Sequence, residues 1–87
     1  MNFFVYLIAS KRKKKIISYV GYTNDLKKRL LLHNSGKGAK FTKGSFWKLI
    51  YKKRYMTKQK AMSEEFKLKK NYVLRKNIKL KFFKKIK

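Results

Sequence analysis

Seven successive apolar residues, Phe3-Phe4-Val5-Tyr6-Leu7-Ile8-Ala9, stand almost at the start of the chain. Alternate side chains of a strand point to opposite faces, so a run apolar at every position is at home only where both faces are covered. The run predicts a central, buried strand. A basic turn over Ser10–Lys15 follows. Ile16–Tyr22, rich in β-branched and aromatic residues, then reads as a second strand and hairpin partner of the first.

The next signals are helical. Thr23 or Asn24 supplies an N-cap, with Asp25 in the positive first turn, for a helix running to about His33. Asn34-Ser35-Gly36-Lys37-Gly38 ends it and opens a mobile loop. Ser45–Tyr55, with Phe46, Trp47, Leu49, Ile50 and Tyr51, predicts a third strand. Thr57 caps a second helix that reaches about Asn71. A third, about Val73 to Ile86, carries Leu74, Ile78, Phe82 and Ile86 on one stripe. The order β-β-α-β-α-α predicts an α+β fold, a small three-stranded antiparallel sheet flanked by helices. At 87 residues, with no repeat and no linker, residues 1–87 read as one domain, of which 72–87 form a basic C-terminal helix.

Charge narrows the partners. Lys and Arg number 27 against three acids, a net charge of +24, and such a surface calls for a polyanion, nucleic acid first (DNA is the expected partner) and an anionic membrane surface second. Nothing in the composition asks for a small-molecule cofactor. No apolar run is long enough to cross a bilayer, and Phe3–Ala9 precedes its charges, the reverse of a signal peptide. With no cysteine there is neither disulfide nor thiolate metal site. A cytoplasmic, nucleoid-associated protein is expected. The only acids are Asp25, Glu64 and Glu65. Hard divalent ions want oxygen ligands, so a two-metal cluster of several carboxylates is not expected, whereas one ion on one carboxylate remains open.

Several residues carry possible chemistry. At 100° per residue Leu26 and Leu30 face inward, and Arg29 and His33, four apart, lie along one edge of their stripe. A guanidinium beside a core needs an anion, either an acid from another helix or a substrate phosphate. His33 alone reads equally as polar packing. On the second helix Ala61, Met62, Phe66, Leu68 and Tyr72 make an apolar arc that contains Glu65. Either Lys69 pairs with that carboxylate, or it holds a metal facing the pocket of Arg29. Tyr6 and Tyr19 lie mid-strand, where aromatics usually serve the core. Gly21, inside a strand, marks a close approach of backbone or ligand. The loop from Ser35 to Lys40 lacks the spacing of a nucleotide-binding loop and suits a flexible phosphate clamp. Lys28, Lys37, Lys40 and Lys43 are the expected nucleic-acid contacts.

These parts resemble the GIY-YIG nuclease superfamily. Phe4-Val5-Tyr6 stands where its first motif lies, with Phe4 in place of the glycine, and Tyr19-Val20-Gly21 stands where the second lies. The stretch from Tyr19 to Leu30 is similar to the superfamily's strand, polar turn and arginine-bearing helix. His33 to Thr42, and Ala61 followed by Glu65 and Leu68-Lys69-Lys70, look like its small stand-alone bacterial members. The resemblance implies an endonuclease with a single Mg²⁺ or Mn²⁺ on Glu65. It implies that Tyr6 and Tyr19 orient the attacking water and one or the other deprotonates it, that Arg29 stabilises charge at phosphorus and that His33 assists. Gly21 keeps the strand open. Arg29, the metal and the positive field are expected to favour phenolate. Some members carry an asparagine after the glutamate, and Asn71 and Asn77 are the only candidates here. The resemblance also leaves room for a targeting protein partner. The rival reading is a basic protein that binds RNA, the ribosome or DNA without cutting, or a degenerate nuclease that keeps only the binding.

Overall fold

The apolar run lies in the middle of the sheet. In the computed structural model, which describes residues 2–84, β1 (Phe3–Arg12) is flanked by β2 (Lys15–Thr23) and β3 (Lys48–Tyr55), antiparallel to both, in the order β2-β1-β3. The expected six-residue basic turn is shorter. Pairing continues to Arg12 opposite Lys15, so only Lys13 and Lys14 turn, with Lys13 in the left-handed region at φ 53°. Backbone pairing does not depend on side-chain polarity, and cations at the sheet's end remain in water.

Three helices complete the expected β-β-α-β-α-α order: α1 (Leu26–Asn34), α2 (Lys58–Lys70) and α3 (Tyr72–Lys84). The cap of α1 is Asp25 itself, not Thr23 or Asn24. Its carboxylate accepts from the Lys28 amide at 3.1 Å, while the Thr23 hydroxyl accepts from the Asp25 amide at 3.1 Å. Carboxylate and hydroxyl satisfy successive donors of the turn, and the carboxylate takes the helix end. Thr57 caps α2 as expected, accepting from the Lys60 amide at 3.1 Å. Asn71 closes α2, and its Oδ1 accepts from the Leu74 amide at 3.1 Å, so its side chain is committed to the joint between the helices.

Strand alternation separates two cores. On one face Tyr6 and Ile8 meet Trp47, with Ile17, Tyr19, Leu26, Leu30 and Leu49 packed around them; this is the α1 face. On the other, Val5, Leu7 and Val20 meet Ala61 and Leu68 of α2 and Ile78 of α3. A bulge in the β1–β3 pairing, between Leu7 and Ile8, lets the consecutive Ile50 and Tyr51 both pack on this second core.

Two expectations on these elements need correction. Ser45, Phe46 and Trp47 precede β3, because Trp47 is drawn into the first core and its amide donates to Asn34 Oδ1 at 2.5 Å. The apolar arc of α2 is also narrower than its pattern. Ala61 and Leu68 are buried, but Met62, Phe66 and Tyr72 are exposed, because a three-stranded sheet offers a helix only a narrow contact line. On α3, Leu74 is exposed while Ile78 and Phe82 are half-buried; Ile86 lies outside the described residues.

Candidate active site

Tyr6 and Gly21 face each other across the β1–β2 ladder. The Tyr6 ring lies over Gly21 so closely that a Cβ built there falls on the phenol oxygen and Cζ. Absence of a side chain at 21 is therefore what gives the phenol its place. Helix α1 supplies the next two groups, four residues apart on one side. The Tyr6 oxygen lies 2.7 Å from His33 Nε2, and Arg29 Nε donates to it at 3.3 Å.

The far side of the imidazole settles its tautomer. His33 Nδ1 lies 2.9 Å from Thr42 Oγ1. That hydroxyl donates its one proton to the Ala39 carbonyl at 3.0 Å and accepts from the Ala39 amide at 3.2 Å, so it can only accept from the ring. Nδ1 then carries the ring proton of a neutral histidine, Nε2 is an acceptor, and the Tyr6 hydroxyl donates to it. Gly38 presses on the ring's other side, where a Cβ would collide with Nδ1 and Cγ. Thr42 and His33 are both fully buried.

His33 was expected at the edge of the stripe, but the 38–42 turn closes over it. The loop from Ser35 to Lys40 was expected to act as a phosphate clamp; its Gly38, with Thr42 just beyond it, also forms a wall of the site. Neither residue stands at a helical or strand spacing from His33, so no periodicity announces them. Tyr19 is half-buried, edge-on to His33 with ring centroids 5.2 Å apart, and stacks on Phe41 at 6.2 Å.

Electrostatics set the protonation states. Burial raises the Tyr6 pKa above its ordinary value of 10.0, outweighing the opposing effects of Arg29. Burial thus opposes the expected drift toward phenolate, because the phenol loses more hydration than one guanidinium returns. Burial, and then Arg29, lowers the His33 pKa below 6.5. The bond to Tyr6 raises the pKa of Arg29, whose charge is permanent in any case. Among the described residues Arg29 takes part in no ion pair.

Glu65 sits on α2, a helix of the opposite layer. Its carboxylate pairs with Lys69 at 3.5 Å, with the side chain only 18% exposed. Even so, it is the one acid whose charge registers at the Tyr6 phenol. Glu64 instead joins Lys67 at 3.1 Å and Lys60 at 3.6 Å. Among the described residues no group of three or more His, Cys, Asp or Glu assembles around a common point. Lys28, Lys37, Lys40 and Lys43 are all exposed. No helix among the described residues is long and apolar enough to cross a membrane.

A buried neutral histidine makes stability pH dependent. In the unfolded chain His33 titrates near 6.5, and in the folded chain lower, so the unfolded state binds more protons between the two values. This contribution is complete above about pH 6.5 and is lost as pH falls from there through the folded value. Thermal unfolding is therefore expected at lower temperature at pH 5 than at pH 7.5. His33→Gln, neutral throughout, should remove most of that difference. An unchanged slope in the variant would contradict the assigned tautomer and burial.

The GIY-YIG catalytic domain model matches residues 2–79. The chain belongs to this family, which places it in a nuclease superfamily. A UPF0213 protein of Streptococcus pneumoniae strain R6 is 53% identical over 48 residues, covering 54% of this chain and 48% of the relative. The UPF0213 protein YazA of Bacillus subtilis strain 168 is 44% identical over 66 residues, 75% of this chain and 64% of the relative. A UPF0213 protein of Bacillus halodurans, known from a solution NMR structure, is 32% identical with a TM-score of 0.49, covering 94% of this chain and 85% of the other. The chain spans about half the length of several of the curated relatives it matches.

Proposed function

We propose that the chain is a metal-dependent endonuclease that hydrolyses phosphodiester bonds in DNA, with Tyr6 rather than Tyr19 activating water. The observation that carries this reading is the Tyr6 oxygen held between His33 Nε2 and Arg29 Nε. Tyr6 is neutral at pH 7, so it acts as a relay. Water gives a proton to the phenol oxygen while the phenol's own proton passes to Nε2, where neutral His33 is ready to receive it. The hydroxide oxygen forms a bond to phosphorus, the bond to the leaving oxygen breaks opposite, and the leaving oxygen takes a proton from solvent. Arg29 lies where the negative charge of the crowded phosphorus grows. Tyr19, edge-on to the imidazole, orients the same water.

A single Mg²⁺ or Mn²⁺ fits this donor set. Glu65 is a partly shielded carboxylate, and hard ions of this kind keep several waters and take substrate phosphate as further ligands. When bound, the ion supplies positive charge to the phosphate oxygens. Lys69 holds the carboxylate until then. Exposed Lys28, Lys37, Lys40 and Lys43 contact backbone phosphates.

That Lys69 contact also favours a second reading, a basic protein that binds nucleic acid without cutting it. The two separate on variants. Arg29→Ala and Glu65→Ala are each expected to lower the cleavage rate by at least about 10²–10³ while DNA affinity stays near wild type. Cleavage by both variants at the wild-type rate would refute the roles given to them.

A further inference from the structure

One groove lies away from the Tyr6 phenol. It measures about 920 Å³, between the β1–β2 turn and the loop around residues 44–46. Four of its lining residues are cationic, Lys11, Arg12, Lys13 and Lys48, and none is acidic. Phe46 also lines it, with 69% of its surface exposed. An exposed phenylalanine among four cations gains nothing from the protein's own packing.

Its position is imposed by the loop. Gly44 takes a left-handed φ of 85°, Trp47 on the other side is buried, and Phe46 between them faces outward. Arg12 braces the arrangement. Its Nε donates to Ser45 Oγ at 2.5 Å, and its guanidinium stands 6.0 Å from the Phe41 ring centroid. The groove is thus built in advance, on a loop tied to the sheet. Side-chain contacts link it to the candidate active site: Arg12 stands over Phe41, Phe41 stacks on Tyr19, and Tyr19 abuts His33.

We infer that this groove holds a single strand of DNA running on from the candidate active site, with an unpaired base stacked on Phe46. Every base has an apolar face, and rings interleaved with cations accept successive nucleotides with little regard to sequence. Lysines match the backbone as point charges without the planar fork that reads guanine. Bases inside a duplex are already stacked and cannot reach Phe46. The inference rests on the nuclease reading only for its direction. It names the substrate class as DNA with unpaired bases beside the cleaved bond.

Binding without cleavage tests it. Fluorescence anisotropy in EDTA compares a labelled single-stranded oligonucleotide with a duplex of the same length, on the full chain. The wild type should prefer the single strand. Phe46→Ala should weaken that affinity about 5- to 150-fold and leave the duplex within about twofold. Phe46→Leu, which keeps apolar bulk without a ring, should lose as much, and Phe46→Trp should lose nothing. Single-strand affinity within twofold of wild type in both the Ala and Leu variants overturns the inference, as does an equal loss on both ligands. A wild type that keeps the preference but cuts no DNA in Mg²⁺ or Mn²⁺ defeats the nuclease reading alone. Cleavage without any strand preference defeats the groove alone.

Discussion

Affinity for DNA is expected to fall about 10³–10⁵-fold between 50 and 200 mM salt. The figure assumes six to ten neutralised phosphates, each releasing condensed counterions. The chain has cations to spare for that number. Its net charge is +24, and the lysines around α1 and the following loop are exposed, as are those of the hairpin turn. Three acids, two of them engaged with lysines on α2, do little to dilute the field. A titration series at several salt concentrations, plotted as log affinity against log salt, reads the number of contacts from its slope. A flat response would remove the polyanion as partner.

His33→Ala is expected to slow cleavage by about 10²–10⁴, the range supplied by a positioned acid or base. The loss should come in kcat/KM with DNA affinity little changed, because the imidazole is buried and reaches substrate only through Tyr6. The wild-type pH profile carries a second signature. The proposed relay requires neutral His33, so activity is expected to fall as pH drops. Because burial and Arg29 hold the His33 pKa down, that acidic limb should lie below the ordinary histidine value of 6.5. Thr42→Val removes the acceptor that keeps the proton on Nδ1, and should lower the rate and flatten or shift the same limb. A profile unmoved by Thr42→Val would leave the threonine a packing residue only.

Much of the fold could be read from the chain itself. A run apolar at every position becomes the central strand, and the hydroxyl of Thr57 caps α2 as expected. Tyr6, Tyr19, Arg29 and His33 stand on elements whose type was plain, and those elements bring them together. The remainder depended on contacts that leave no local trace. Thr42 reaches His33 from nine residues away through a turn, and Trp47 leaves the third strand because Asn34 and Thr42 hold it. Exposure of Met62 and Phe66 follows from the width of the sheet, which a helical pattern does not encode. The burial of the phenol likewise left no trace in the sequence. Sequence reveals the nearby charge of Arg29 but not the burial that outweighs it. Glu65 was legible as both an ion-pair partner of Lys69 and a metal ligand, and the structure shows the ion pair.

In the proposed relay the phenol oxygen of Tyr6, held by imidazole and guanidinium, is where water would be engaged, so its removal is the sharpest test. Tyr6→Phe deletes one atom and keeps the ring over Gly21. Initial rates of nicking of supercoiled plasmid in Mg²⁺ and in Mn²⁺, wild type beside variant, give the answer. The relay predicts that the wild type nicks and that Tyr6→Phe loses at least about 10²-fold with DNA affinity retained. Equal rates for the two proteins, or no nicking by the wild type with either ion, would contradict it.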